Sequence, residues 1–186
     1  LELLARYAPS TRQAREAARG IVREAEGLAV LLAAVGAAMK DQDAAAVERY
    51  ATWLATYQPE DNALGVIEGY PVKAGAILDD LYTRLDAVQL RTLEYAALLP
   101  ADRIRLEWLY WLLEQDQASL AWPVTPLLNE PMPASDLVRK LVASELLVEG
   151  ESGRYSLHRL HRKRVLEARI DDALRQTLVE QVAALG

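Results

Sequence analysis

Apolar residues recur at three- and four-residue intervals along almost the whole chain, the periodicity of helices that pack through one face. Ser10-Thr11-Arg12-Gln13 reads as a capping box, and the helix behind it carries Ala14, Ala17, Ala18, Ile21 and Ala25 on one side. Gly27 interrupts that pattern. A second helix, Leu28 to Met39, is apolar nearly all round and is expected to be buried, with Leu28, Leu31, Leu32, Val35 and Met39 inward. Asp41 and Asp43 offer a cap to a third helix, striped by Val47, Tyr50, Ala51 and Leu54 and flanked by Trp53 and Tyr57. Pro59, Gly65, Gly69 and Pro71 mark a connection, after which a fourth helix places Ala74, Ile77, Leu78, Leu81 and Leu85 inward.

The second half reads differently. Asp86 can cap a helix holding Leu90, Leu93, Ala96 and Ala97 and stopping at Leu99-Pro100. Asp102 precedes another, with Leu106, Leu109, Tyr110 and Leu113. A turn-like stretch, Trp122-Pro123 to Leu128, leads past Pro131 and Pro133 to a helix capped by Ser135 or Asp136 and carrying Leu137, Val138, Leu141 and Val142. Leu146 to Glu149 and Arg154 to Leu157 flank Gly150-Glu151-Ser152-Gly153, the pattern of a hairpin. Period-2 alternation puts Leu146, Val148, Tyr155 and Leu157 on its inner face. Helix resumes near Leu160 and breaks near Asp171 on the way to Leu185. The expected fold is mainly α, a helical bundle (1–85) followed by a winged-helix domain (86–165) with one small β-hairpin, then a C-terminal helix (166–186). Three helices and a hairpin in that order are the plan of a winged helix, and two short strands need the helices to cover their apolar face.

Composition removes several functions. The chain of 186 residues has no Cys and two His, so a disulfide framework, a Cys-based zinc site, a Cys nucleophile and a His-rich metal centre are excluded. Its 21 Lys and Arg against 27 Asp and Glu leave a net charge of −6, which argues against nucleic acid as the partner. The third winged-helix helix agrees, because only Arg139 and Lys140 could reach phosphates there, with Asp136 and Glu145 opposing them. No apolar run of about 18 residues occurs, so no membrane span is expected and the chain is placed in the cytoplasm. The opening at Leu1, at helical spacing with Leu4 and Ala5, suggests a piece excised from a larger protein, with a processed mature protein as the plainer alternative. One basic concentration follows the hairpin: Arg154, Arg159, Arg162, Lys163, Arg164 and Arg169, with His158 and His161 inside it. It reads either as a solvated helix face or as an anion site, with a phosphate as ligand.

Two stretches carry a resemblance. Gly27-Leu28-Ala29-Val30-Leu31-Leu32 resembles the Gly-Leu-Pro-Leu-Ala-Leu motif of the NB-ARC and wider STAND class of nucleotide-controlled switch ATPases. Tyr155-Ser156-Leu157-His158-Arg159-Leu160 resembles the end of that class's winged helix, where a Met-His-Asp motif closes the wing. The run from Ile77 through Leu99-Pro100 to Leu109 resembles its entry into the winged helix, so the likeness spans residues 1–165. It implies an upstream P-loop NTPase domain of the same chain, and ADP clamped between three domains to hold the protein inactive. Exchange for ATP would release the winged helix and permit self-oligomerisation of the parent.

By position, Ala29 falls where the motif proline lines the nucleotide pocket, within the Gly27-Leu28 turn, and His158 falls where the histidine contacts the β-phosphate of ADP. Its imidazole can donate to a phosphate oxygen, and Arg159 or Arg162 nearby is expected to favour the charged form. Arg162 and Arg154 are further phosphate candidates. Three positions depart from the motifs: Ala29 for Pro, Leu157 for Met, and Arg159 for Asp, which reverses a charge. Both sites also have plain readings, Gly27 as a helix break and His158 as a polar residue closing the wing.

No Gly-x-x-x-x-Gly-Lys-Ser/Thr occurs, so ADP or ATP is expected only with the upstream domain and no enzymatic activity is expected of these residues. Asp79-Asp80 and Asp171-Asp172 point about 100° apart on a helix and cannot converge on a metal. No Gly-x-Ser-x-Gly surrounds any serine. Trp108, Trp111 and Trp122 read as core or as a partner surface. The switch segment therefore stands beside two alternatives: a winged-helix DNA-binding transcriptional regulator, and a ligand-free helical protein-interaction module.

Overall fold

The structure is a computed structural model and describes residues 12–58, 67–116 and 133–183, without the side chains of 13, 14 and 133–135. The Ser10 cap, the Pro59–Gly65 connection and the Trp122–Leu128 turn lie outside the described residues. The protein is mainly α, with nine α-helices among the described residues and a small three-stranded antiparallel sheet. The chain divides into two compact units, Leu1–Arg84 and Leu85–Gly186.

In the first unit, α1 (Arg12–Glu24) packs on α3 (Ala44–Thr56), and α2 (Ala29–Met39) packs on α4 (Ala74–Thr83). The apolar stripes decide this: Ala18, Ile21 and Ala25 bury against a core that includes Leu31, Leu32, Val35, Val47, Leu54, Ile77 and Leu78. Gly27 takes φ +71°, its amide donating to the Val22 carbonyl at 3.0 Å, so the chain turns between α1 and α2 where a glycine suits it. Asp43 starts α3 by accepting from the Ala46 amide. The same helix ends on Lys73, whose ammonium donates to the carbonyls of Leu54 and Ala55 at 2.6 and 3.2 Å. Lys73 also pairs with Glu24 at 2.9 Å, so one cation satisfies two of the orphan carbonyls of α3 and ties down the end of α1.

The second unit is built around α5 (Ala87–Leu98), which is buried from Thr92 to Ala97 and contacts all of its helices. Asp86 begins it with a capping box, accepting from Val88 and Gln89 amides at 3.0 and 2.8 Å while Gln89 accepts from the Asp86 amide at 3.0 Å. Next come β1 (Ile104–Arg105), α6 (Leu106–Gln115), α7 (Pro133–Ala143), β2 (Val148–Glu149), β3 (Arg154–Ser156), α8 (Arg159–Ala168) and α9 (Asp172–Ala183). The sheet order is β1-β3-β2, with Ile104 opposite Tyr155 and Val148 opposite Ser156.

Four expectations are corrected here. The single hairpin is a three-stranded sheet, because Ile104 and Arg105 pair with β3 before α6 begins. Val148 faces outward, 51% exposed, while Leu147 is buried in its place. Leu146 and Leu147 are not in a strand; both their amides donate to the Leu141 carbonyl, closing the end of α7 beyond Glu145 at φ +58°. The helix expected to be capped at Ser135 or Asp136 starts before both, at Pro133, a residue whose fixed φ suits the first helical position. Asp136 is therefore in its first turn, paired with Arg139 at 3.0 Å.

Candidate functional site

His158 sits between β3 and α8 because the strand ends at Ser156, Leu157 turns into the core, and the helix starts at Arg159. The Leu157 amide donates to the Ala101 carbonyl at 2.8 Å, which fixes this corner against the chain leading into β1. His158 is the N-cap of α8: its Nδ1 accepts from the Leu160 amide at 3.1 Å. An accepting Nδ1 carries no proton, so the neutral ring holds its proton on Nε2. Partial burial lowers the pKa of His158, and the Arg159 charge lowers it further. The expectation of a charged imidazole is corrected accordingly: a neighbouring cation disfavours a second positive charge, and both causes act in that direction.

The other basic side chains are divided among different tasks. Arg162 is half-buried and its Nε donates to the Ala97 carbonyl at 2.8 Å, serving the C-terminal end of α5. Arg164 and His161 are buried inside the unit, and burial takes the His161 pKa down to about 3. Arg169 reaches Glu94 at 3.4 Å, and Lys163 lies 3.9 Å from Glu167. Arg154 and Arg159 are exposed, Arg154 on β3 opposite Arg105 and Arg159 at the first position of α8. The structure thus brings His158 and Arg159 together at one helix start and assigns Arg162 to an α5 carbonyl.

Gly27, Leu28 and Ala29 belong to the first unit. Gly27 and Ala29 are exposed and Leu28 is half-buried. Leu28 is extended, with φ −65° and ψ 111°, and Ala29 is the first residue of α2, a position where proline would lose no hydrogen bond. A Cβ built on Gly27 would meet nothing within 4 Å, so the backbone angle alone requires glycine.

Sequence reasoning passed over two other polar groupings. In the second unit the Glu94 carboxylate, nine-tenths buried, lies between Arg91 at 3.0 Å and Arg169 at 3.4 Å. Arg91 also meets Asp116 at 3.0 Å, and the Tyr95 hydroxyl donates to Gln181 on α9 at 2.8 Å. In the first unit a recess of about 300 Å³ is lined by Gln42, Arg49, Tyr50, Trp53, Asp80 and Arg84, among others. Burial pushes the Tyr50 phenol upward, and the Asp80 charge adds to this, so it is a neutral hydroxyl donor. The spacing of Tyr50, Trp53 and Tyr57 along α3 was the available signal.

Among the described residues, no group of His, Asp and Glu could hold a metal ion, and no helix is long and apolar enough to cross a membrane. In α7 the exposed basic side chains are Arg139 and Lys140, the first of them held by Asp136. No protein-family model matches the chain, and no curated protein sequence matches it.

Proposed function

We propose that this chain is a regulatory segment of a STAND or NB-ARC-type signal-transduction ATPase, non-catalytic by itself and acting in the cytoplasm. In this reading the first unit is the helical domain after the NTPase core and the second is a winged helix. The order α5, β1, α6, α7, β2, β3 supports the winged helix, with β2 and β3 as the wing and α7 as its third helix. The observation that carries the reading is the state of His158. Its Nδ1 is held by the Leu160 amide, its ring is neutral, and Nε2–H is the one donor it has to offer an incoming phosphate. A neutral donor at a helix start suits the β-phosphate of ADP, since the Leu160 bond orients the ring and the helix N-terminus favours an anion.

ADP is bound only together with the upstream P-loop domain, and the parent self-oligomerises after exchange for ATP. Arg159 supplies a positive charge where the family motif has a carboxylate, and it adds attraction for the phosphate rather than bracing the ring. The test is ADP retention by the longer protein containing the upstream domain. His158→Ala is expected to speed ADP release about tenfold, the worth of one hydrogen bond to a charged group. Unchanged retention sinks the proposal. The DNA-binding reading is checked separately by titrating duplex DNA at two salt concentrations, where salt-dependent affinity would favour it.

A further inference from the structure

The recess on the first unit brings together an unpartnered hydroxyl, two exposed polar side chains and an ion pair. Tyr50 is 7% exposed, its hydroxyl is closed to solvent, and that hydroxyl has no hydrogen-bond partner among the described residues. A buried unpaired hydroxyl is costly to leave in that state, and an acceptor delivered by a ligand would relieve it. Arg49 and Gln42 line the same recess and are exposed. Arg84 is already occupied, donating to Asp80 through Nε and Nη2 at 3.2 and 2.9 Å, with its guanidinium 5.8 Å from the centre of the Tyr50 ring. The apolar component is Trp53, 36% exposed, whose ring is tilted 45° to that of Tyr50 at 5.3 Å.

Charge selects the ligand. Arg84 cancels Asp80, so Arg49 leaves one positive charge for an incoming group. A monoanion balances it, whereas a phosphate dianion would bring excess charge beside the Asp80 carboxylate. A volume of about 300 Å³ is at the small end of ligand pockets, room for a single aromatic ring and its substituent. We propose that this recess binds a small aromatic monocarboxylate, its ring against Trp53 and its carboxylate accepting from Arg49 and the Tyr50 hydroxyl. Admitting the carboxylate to the closed hydroxyl requires the Arg84–Asp80 pair, whose guanidinium lies 5.8 Å from the Tyr50 ring centre, to shift as a unit with its ion pair intact. This site is independent of the nucleotide reading, as it uses no residue of the Gly27 turn or of the second unit.

The test is calorimetry and ligand-observed NMR on the full chain with benzoate, benzamide and phenyl phosphate. Benzoate is expected to bind at least tenfold more tightly than the other two. Arg49→Gln and Tyr50→Phe are each expected to weaken benzoate about tenfold, the worth of a hydrogen bond to a charged group. Tyr50→Phe keeps the ring and removes a hydroxyl with no partner, so its unfolding temperature should stay level or rise while affinity falls. A purely structural role for Tyr50 would not separate those readouts. No benzoate binding up to about 5 mM, equal binding of benzamide or phenyl phosphate, or undiminished binding by either variant overturns the proposal.

Discussion

The role given to His158 can be tested in the second unit without any nucleotide. His158→Ala deletes the one side-chain bond to an α8 amide that this cap makes, from Leu160 at 3.1 Å. Loss of a helix N-cap costs about 0.5–2 kcal/mol, and a half-exposed ring nitrogen belongs in the lower part of that range, about 0.5–1 kcal/mol. For a unit of about 100 residues this lowers the unfolding temperature by roughly 2–8 °C. His158→Asn keeps a capping acceptor and removes the titration, so it should recover most of the loss near neutral pH. The folded-state pKa lies below the ordinary value of 6.5, so the contribution is complete above 6.5 and disappears as pH falls through the depressed value. A protonated Nδ1 cannot accept, and a cation at a helix start is unfavourable. The wild-type advantage over His158→Ala should therefore shrink between about pH 7.5 and about pH 5, while that of His158→Asn persists. Thermal unfolding followed by circular dichroism, with an NMR titration of the imidazole, supplies both readouts. Titration of His158 at or above 6.5, or an Asn variant as unstable as the Ala variant, refutes the cap.

Two further predictions concern α5. Asp86→Ala should cost about 1 kcal/mol in urea unfolding and Asp86→Asn only a few tenths, because asparagine keeps the acceptor for Val88 and Gln89; equal losses would remove the capping box as the cause. Glu94 has its pKa raised from 4.5, burial outweighing the Arg91 and Arg169 charges, so its contribution is present below 4.5 and lost as pH rises through the raised value; Glu94→Gln should abolish that fall, and parallel stability–pH curves for the two proteins would count against it.

The helices were legible because their stripes and caps are local. Asp86 before an apolar run, with Gln89 three residues on, announces a helix start in the sequence itself. Gly27 likewise shows its turn without any tertiary information. β1 could not be read that way. Two residues are too few to display alternation, and Ile104 and Arg105 are a strand only because β3 lies beside them. The inner face of the hairpin slipped for a related reason: Leu146 and Leu147 answer to the end of α7, not to the pleat. At the candidate site, His158 was singled out by the resemblance of its stretch to a family motif, but its charge state depends on Leu160 and Arg159 meeting it at a helix start. Glu94, His161 and Arg164 were invisible as interior residues, since polar residues are placed outside by pattern and only packing shows otherwise.

The pairing of β1 with β3 also sets the timing of folding. Ile104 meets Tyr155 and Ala101 meets Leu157, partners about fifty residues apart. Closing so long a loop sacrifices chain entropy before the contacts can repay it, so this step is expected to follow the formation of the local helices α5 and α6. On the ribosome the consequence is directional: Ile104 emerges well before its partner strand, and its edge stays open until the chain has been made through Leu157. The sheet of the second unit is thus completed late, when the strand preceding His158 arrives, and the helices α8 and α9 that cover α5 are made after it.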